Sequence, residues 1–171
     1  DAQWMQNMQN KYSLDGTLSP NSTYAGNAGQ NIDGIEIHVY EDASGNAGLG
    51  NFSGIEEIIS CAYMANNGEW NAFEKSATAS EIDGITIGTD LDDSYYFMYK
   101  SWNEGNNAFY PEVSSLNSLE NNYTGHAGKP IQLLSIQAYN QDGTRLRSGV
   151  VVMYRVRIAG RWLPWVSNAD P

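Results

Sequence analysis

Three short runs of this sequence combine aromatic rings with carboxamides and carboxylates. In the first, Trp70 and Phe73 follow Gly68, with Asn66, Asn67 and Glu69 beside them. In the second, Trp102 and Tyr110 flank Asn103, Glu104, Gly105, Asn106 and Asn107. In the third, Trp162 and Trp165 follow Gly160 and lead to Asn168 and Asp170. Aromatic faces stack on the apolar side of a sugar ring, while neighbouring amides and carboxylates pair with its hydroxyls in fixed directions. The candidate ligand-binding residues are therefore Asn67, Glu69, Trp70, Trp102, Asn103, Glu104, Asn106, Tyr110 and Trp162. A tryptophan that recurs can also plug the core of its own unit, and Trp162 and Trp165 fit that role. Trp102, with polar neighbours and no counterpart in the other runs, is the better candidate for exposure.

The same chain offers little for catalysis. A catalytic centre needs a nucleophile, base or ligand set assembled once. His38 ends a strand-like segment and reads as a surface residue. His126 lies in a glycine turn, where an equivalent segment has Asn27. Cys61 aligns with Phe97 and Val152, so it reads as a small core hydrophobe. These three do not make a Cys-His or Ser-His arrangement. Glu41-Asp42, Glu56-Glu57 and the run Asp90-Leu91-Asp92-Asp93 are candidate carboxylate pairs, but they sit in polar connections. Asp90–Asp93 and Asn140-Gln141-Asp142-Gly143 offer hard oxygen ligands for calcium without the spacing of a calcium loop. The expectation is no enzyme, no catalytic residues, no resident metal and no cofactor, with calcium the one cation to keep in view. Gly26-x-x-Gly29 is too short for a nucleotide cradle.

The elements that would carry these residues emerge when the chain is compared with itself. Ile32-Asp33-Gly34-Ile35-Glu36-Ile37 returns as Ile82-Asp83-Gly84-Ile85-Thr86-Ile87, and more loosely as Ile131-Gln132-Leu133-Leu134-Ser135-Ile136. Its alternating end is the period of a half-buried strand. Tyr24-Ala25-Gly26-Asn27-Ala28-Gly29 and Tyr123-Thr124-Gly125-His126-Ala127-Gly128 precede the first and third copies at the same offset. The middle copy keeps only Ser76 and Ala79. Glycines at a fixed spacing imply positive φ or backbone passing too close for a side chain. A second element follows: an apolar strand ending at Tyr63, Tyr99 or Tyr154, a glycine turn, and an aromatic return, which is the pattern of a hairpin.

The expected fold is all-β. Residues 1–171 form one domain of three pseudo-repeats of about 50 residues, at about 24–73, 74–122 and 123–171, after an N-terminal extension over residues 1–23. A β-prism or a β-trefoil-like arrangement would place the C-terminal hairpin near the N-terminal approach and remove open sheet edges. A longer array cut at both ends is the alternative. Residues 44–54 and 114–122 are inserts, and residues 3–11 have the spacing of a short helix or of a degraded hairpin.

Composition narrows the function classes. The net charge of −11 argues against binding nucleic acid through its phosphates. No run is long and apolar enough for a membrane helix. With 41% hydrophobic residues the chain can build a core. Gly (17 residues) and Asn abound, which disfavours a helical bundle. The single cysteine forbids an intrachain disulfide, which secreted bacterial domains of this size do not require. Opening on Asp1, the chain reads as a mature or excised fragment.

The run from Val151 through Tyr154-Arg155, Gly160, Trp162 and Trp165-Val166 to Asn168 resembles the clostridial hydrophobic-with-conserved-tryptophan (ChW) repeat. That family reads Tyr-Arg, then Gly-Trp, then Trp-Val, Ala-Gly-x-x-Gly and Ile-x-x-Ile-x-Ile. Residues 24–37 and 123–136 are similar to its second half. Arg161 between Gly160 and Trp162, Asn107 in place of a tryptophan, and the two inserts depart from it. The resemblance implies a lectin-like, secreted or cell-surface module of a Gram-positive bacterium that binds a glycan or cell-wall polysaccharide without catalysis. A protein-interaction module, an adhesin or scaffold unit meeting a surface protein, is the competing expectation.

Overall fold

The computed structural model describes residues 24–41, 55–57, 59–89, 94–117, 122–146 and 149–168. The expected N-terminal helix or hairpin, the first insert, Asp90–Asp93 and Asp170 lie outside these residues, as does most of the second insert's tip.

The described residues are all-β. The strands run β1 Ala25–Gly26, β2 Ile32–Glu41, β3 Ile55–Glu57, β4 Ser60–Met64 and β5 Trp70–Phe73. Then come β6 Ser76–Thr78, β7 Gly84–Gly88, β8 Tyr95–Trp102, β9 Val113–Ser114 and β10 Thr124–Gly125. The last are β11 Leu133–Asn140, β12 Arg145–Leu146, β13 Val150–Ile158, β14 Arg161–Trp162 and β15 Val166–Ser167. One 3-10 turn, Ser115–Asn117, follows β9.

Three antiparallel sheets result. The first has the order β1-β11-β8-β9, with β12 also on β11. The second is β10-β7-β4-β5. The third is β14-β13-β2-β3, with β15 on β13 and β6 on β2. The three Ile-x-x-Ile-x-Ile segments are thus dealt to three different sheets. In the second and third copies, the lead residues Ile82-Asp83 and Ile131-Gln132 stand just ahead of the strand. The lead isoleucines still meet: Ile32 N–H donates to the Ile131 carbonyl (2.9 Å) and Ile131 N–H to the Ile82 carbonyl (2.8 Å).

Period-two patterning explains the core. Ile35, Ile37, Ile85, Ile87, Leu134 and Ile136 point inward with Phe97, Tyr99, Val152 and Tyr154, and all are buried. Each fully buried aliphatic chain contributes about 1.5–3 kcal/mol from water exclusion. Cys61 is in this core, and burial pushes its thiol up to about 12. Two inward tyrosines need a partner for the hydroxyl. The Tyr99 hydroxyl accepts from Ile87 N–H (3.1 Å), and the Tyr154 hydroxyl accepts from Ile136 N–H (3.2 Å). The aligned Tyr63 is half-buried against Phe73, and Ile37 N–H goes to the Lys75 carbonyl instead.

The approach glycines serve the close passage that their spacing implies. Gly26 and Gly125 have φ of 116° and 120°. A Cβ there would lie 2.0 Å from the Gln132 carbonyl oxygen and 2.1 Å from that of Asp83. Only glycine lets β1 and β10 lie against the strands they flank.

Two expected hairpins form regularly, β4–β5 around Gly68 and β13–β14 around Gly160. The second differs. No strand follows Gly105 until β9, which pairs with Met98 and Tyr99. Pro111 lacks the N–H a ladder needs, and the side chains of Trp102, Asn103 and Tyr110 are hydrogen-bonded within the loop. The result is a broad turn in place of a tight one.

Candidate functional site

That broad turn builds one wall of a cleft. β8 ends at Trp102, whose indole N–H donates to the Asn106 carbonyl (2.9 Å) and folds the ring onto its own loop. Asn103 follows and is buried, at 2% exposure. Its Nδ2 donates to the Tyr110 hydroxyl at 2.7 Å, and Tyr110 N–H reaches back to the Ser101 carbonyl at 2.9 Å. Asn103 Oδ1 has no hydrogen-bond partner and is shielded from solvent. A buried amide oxygen left unpaired costs about 1–3 kcal/mol, so it marks a place where something else is expected to bond.

The opposite wall comes from the segment leading into β11. Lys129 N–H bonds the His126 carbonyl (3.0 Å), which tightens the turn. Gly128 N–H donates to Asp83 Oδ2 (2.7 Å). Gln132 is almost fully buried: its Oε1 accepts from Gly29 N–H (2.7 Å) and its Nε2 donates to Asn31 Oδ1 (3.0 Å). The pairing of β8 with β11, which sets Trp102 opposite Leu133, brings the two walls together. Between them lies a cleft of about 290 Å³. Asn103 and Glu104 line one side, Gly128, Lys129, Pro130 and Gln132 the other, and Asn31 the end. The lining offers amide donors and acceptors, one carboxylate, one ammonium and one apolar ring edge. That is a set for binding hydroxyls.

The candidate residues read from the sequence do not converge on one site. Asn103 and Glu104 line the cleft. Trp102, Asn106 and Tyr110 support the same loop. Asn67 and Glu69 pair with each other in the β4–β5 turn, Asn67 Nδ2 donating to Glu69 Oε2 at 3.2 Å. Trp70 packs edge-on against Tyr123, ring centres 5.1 Å apart. Trp162 lies on the third sheet. His126 is an exposed turn residue whose Nδ1 contacts the Ala127 carbonyl (2.9 Å). Asn31, Lys129, Pro130 and Gln132 escape sequence reasoning. They sit in or beside the repeated approach, but nothing local says that the turn of one unit will face the hairpin of another.

A second cluster gathers His38, read as a surface residue, with Trp162, Trp165 and Glu56. On the outer face of β2 and β13, the Arg155 guanidinium sits 4.7 Å from the centre of the Trp162 ring and 4.4 Å from that of Trp165. Glu36 Oε1 takes two bonds from Arg155 (2.9 and 2.7 Å), and Oε2 meets His38 Nε2 at 2.8 Å. His38 Nδ1 meets Glu56 Oε1 (2.6 Å), and Lys75 lies 3.2 Å from Glu56 Oε2. Burial alone would raise Glu36, but hydrogen bonds from His38 and Arg155 outweigh it and hold the carboxyl low. The hydrogen bond from His38, aided by Lys75, lowers Glu56. The signal was available: Glu36 and His38 are two apart on a strand and share a face. Both carboxylates are already bonded, and Arg155 occupies a face of each indole, so the cluster braces the third hairpin. Among the described residues, no group of three or more His, Cys, Asp or Glu side chains could hold a metal ion.

No family model, curated protein or solved structure matches the chain significantly.

Proposed function

We propose that this chain is a non-catalytic carbohydrate-binding module whose ligand occupies the cleft between the 103–110 loop and the 126–132 segment. The observation that carries the proposal is Asn103 Oδ1, buried, unpaired and at a cleft lined chiefly by amides and charged groups. Asn103 lines the cleft, and a small shift of its side chain would bring this shielded oxygen within reach of a sugar hydroxyl, while Glu104, Lys129 and Asn31 can take the flanking hydroxyls. Glycoside hydrolysis in its usual form requires two carboxyl groups flanking one bond. Glu104 is the single carboxylate among the described lining residues, which favours binding over catalysis.

The scaffold in this reading is a β-prism of three pseudo-repeats. Three observations favour it. Each sheet takes its repeated strand, its hairpin and its approach strand from different units, as in β10-β7-β4-β5. The second residue of the repeated segment accepts a glycine N–H through its side chain in all three: Asp83 from Gly128, Gln132 from Gly29, Asp33 from Gly160. The lead isoleucines are linked through their backbones. The resemblance of residues 151–168 to the clostridial repeat supports, in this reading, a module on a Gram-positive surface or outside the cell that meets a glycan or wall polysaccharide.

A glycan array followed by calorimetry with the wild type, Asn103→Ala and Glu104→Ala tests the reading. A hit that weakens in both variants supports it. Glu104 is exposed, so its variant keeps the test sound if Asn103→Ala folds poorly. An array without hits, alongside capture of a surface protein, would replace it with the protein-interaction reading.

A further inference from the structure

The outer face of the sheet that carries the cleft bears more than the cleft. β8 alternates strictly: Tyr95, Phe97 and Tyr99 enter the core, so Tyr96, Met98, Lys100 and Trp102 share the opposite face. On β11, Leu134, Ile136 and Ala138 enter the core; on the opposite face Leu133 and Ser135 are also buried, and Gln137 and Tyr139 are the partly exposed residues. Register sets Met98 opposite Gln137 and Tyr96 opposite Tyr139. The two tyrosine rings lie nearly parallel, 18° apart in plane with centres 5.7 Å apart, and both are half-buried. Nearer the cleft, Phe109 lies by the Lys100 ammonium, which is 5.0 Å from its ring centre. Arg145 holds the Gln137 amide oxygen through two bonds of 3.0 and 2.7 Å. The outer face of β8 therefore runs from Trp102, beside Asn103, past Lys100 with Phe109 and past Met98, to the Tyr96–Tyr139 pair. At about 3.4 Å per residue it spans about 20 Å.

We infer that the ligand is a glycan chain rather than a free monosaccharide: one terminal sugar enters the cleft, and the chain continues along the outer face of β8 and β11 to stack on Tyr96 and Tyr139. The inference rests on the cleft reading and adds the class and direction of the ligand. It follows from adjacency, because the outer face of β8 begins at Trp102, next to Asn103, and the cleft walls are the segment that follows β8 and the segment that precedes β11. Phenol rings give a sugar an apolar face to stack on, and the hydroxyl of each ring adds a hydrogen bond at its edge.

The test is a length ladder. Cello-, chito- and β-1,3-gluco-oligosaccharides, from monosaccharide to hexasaccharide, are titrated by calorimetry into the wild type, Tyr96→Ala, Tyr139→Ala, Tyr139→Phe and Asn103→Ala. For the series that binds, affinity should rise with length. The alanine variants at Tyr96 and Tyr139 should lose about 3- to 10-fold on the hexasaccharide and nothing on the shortest ligand. Tyr139→Phe keeps the ring and should keep most of the gain, whereas Asn103→Ala should weaken every length. Equal affinity for all lengths, indifferent to the tyrosines but sensitive to Asn103, would overturn this inference and leave the cleft reading standing. Absence of binding at every length would overturn both.

Discussion

Replacing Gly125 by alanine tests the packing logic of the fold at one atom. The new methyl carbon would lie 2.1 Å from the Asp83 carbonyl oxygen and 2.7 Å from Gly84 Cα, both backbone atoms. Its φ of 120° is one that glycine alone adopts readily. Backbone strain of that kind costs about 1–3 kcal/mol. Overpacking against atoms that cannot turn aside costs about 1–3 kcal/mol more. A loss near 4 kcal/mol lowers the melting temperature of a chain this long by about 8–16 °C. Gly128→Ala is the control: its φ is 80°, but the space around it is open, so only the left-handed strain of about 1–2 kcal/mol applies. Urea unfolding followed by tryptophan fluorescence measures both. The reasoning is refuted if Gly125→Ala is no less stable than Gly128→Ala. Gly26→Ala, 2.0 Å from the Gln132 carbonyl oxygen, should repeat the Gly125 result.

Further outcomes follow from the same contacts. Tyr154→Phe leaves the buried Ile136 N–H unpaired and should cost about 1–3 kcal/mol, with faster amide exchange at Ile136 as the readout. Glu36 and Glu56 both have carboxyls held below the ordinary glutamate value of 4.5. Their contribution to stability is therefore fully present above that value and is lost as the pH falls through the depressed folded-state range. Urea midpoints measured across the acid range should decline less steeply in Glu36→Gln than in the wild type. With its thiol raised to about 12 by burial, Cys61 should resist a thiol reagent at pH near 8 until urea unfolds the chain; immediate labelling of the folded protein would contradict its place in the core.

How much of this was legible in the sequence differs by level. The Ile-x-x-Ile-x-Ile segments announce buried strands, and their isoleucines are buried in the structure. Gly26 and Gly125 announce a close backbone approach because two glycines recur at one offset from a strand. Cys61 declares itself apolar by aligning with Phe97 and Val152. Pairing is not legible in the same way. Arg155 bonds Glu36 across 119 positions of sequence, and no local pattern encodes that distance. The cleft suffers most, because its walls belong to segments that meet only once β8 pairs with β11. Asn103 and Glu104 were accessible as polar neighbours of Trp102, whereas Asn31, Lys129 and Gln132 look like ordinary turn and strand-entry residues. The Trp162–Arg155–Trp165 stack is likewise not legible: the arginine stands between the two indoles on an outer sheet face, with Trp165 packed against the Val151–Met153 cluster.

The most direct test of the central claim is the side-chain amide signal of Asn103 in a ¹⁵N-correlated spectrum, followed as the best glycan from the array is added. Saturable shifts at the side-chain amides of Asn103, Asn31 and Gln132, with Asn67 unmoved, are the expected result. A bound glycan that moves Asn67 and Trp70 while Asn103 stays still would contradict the account.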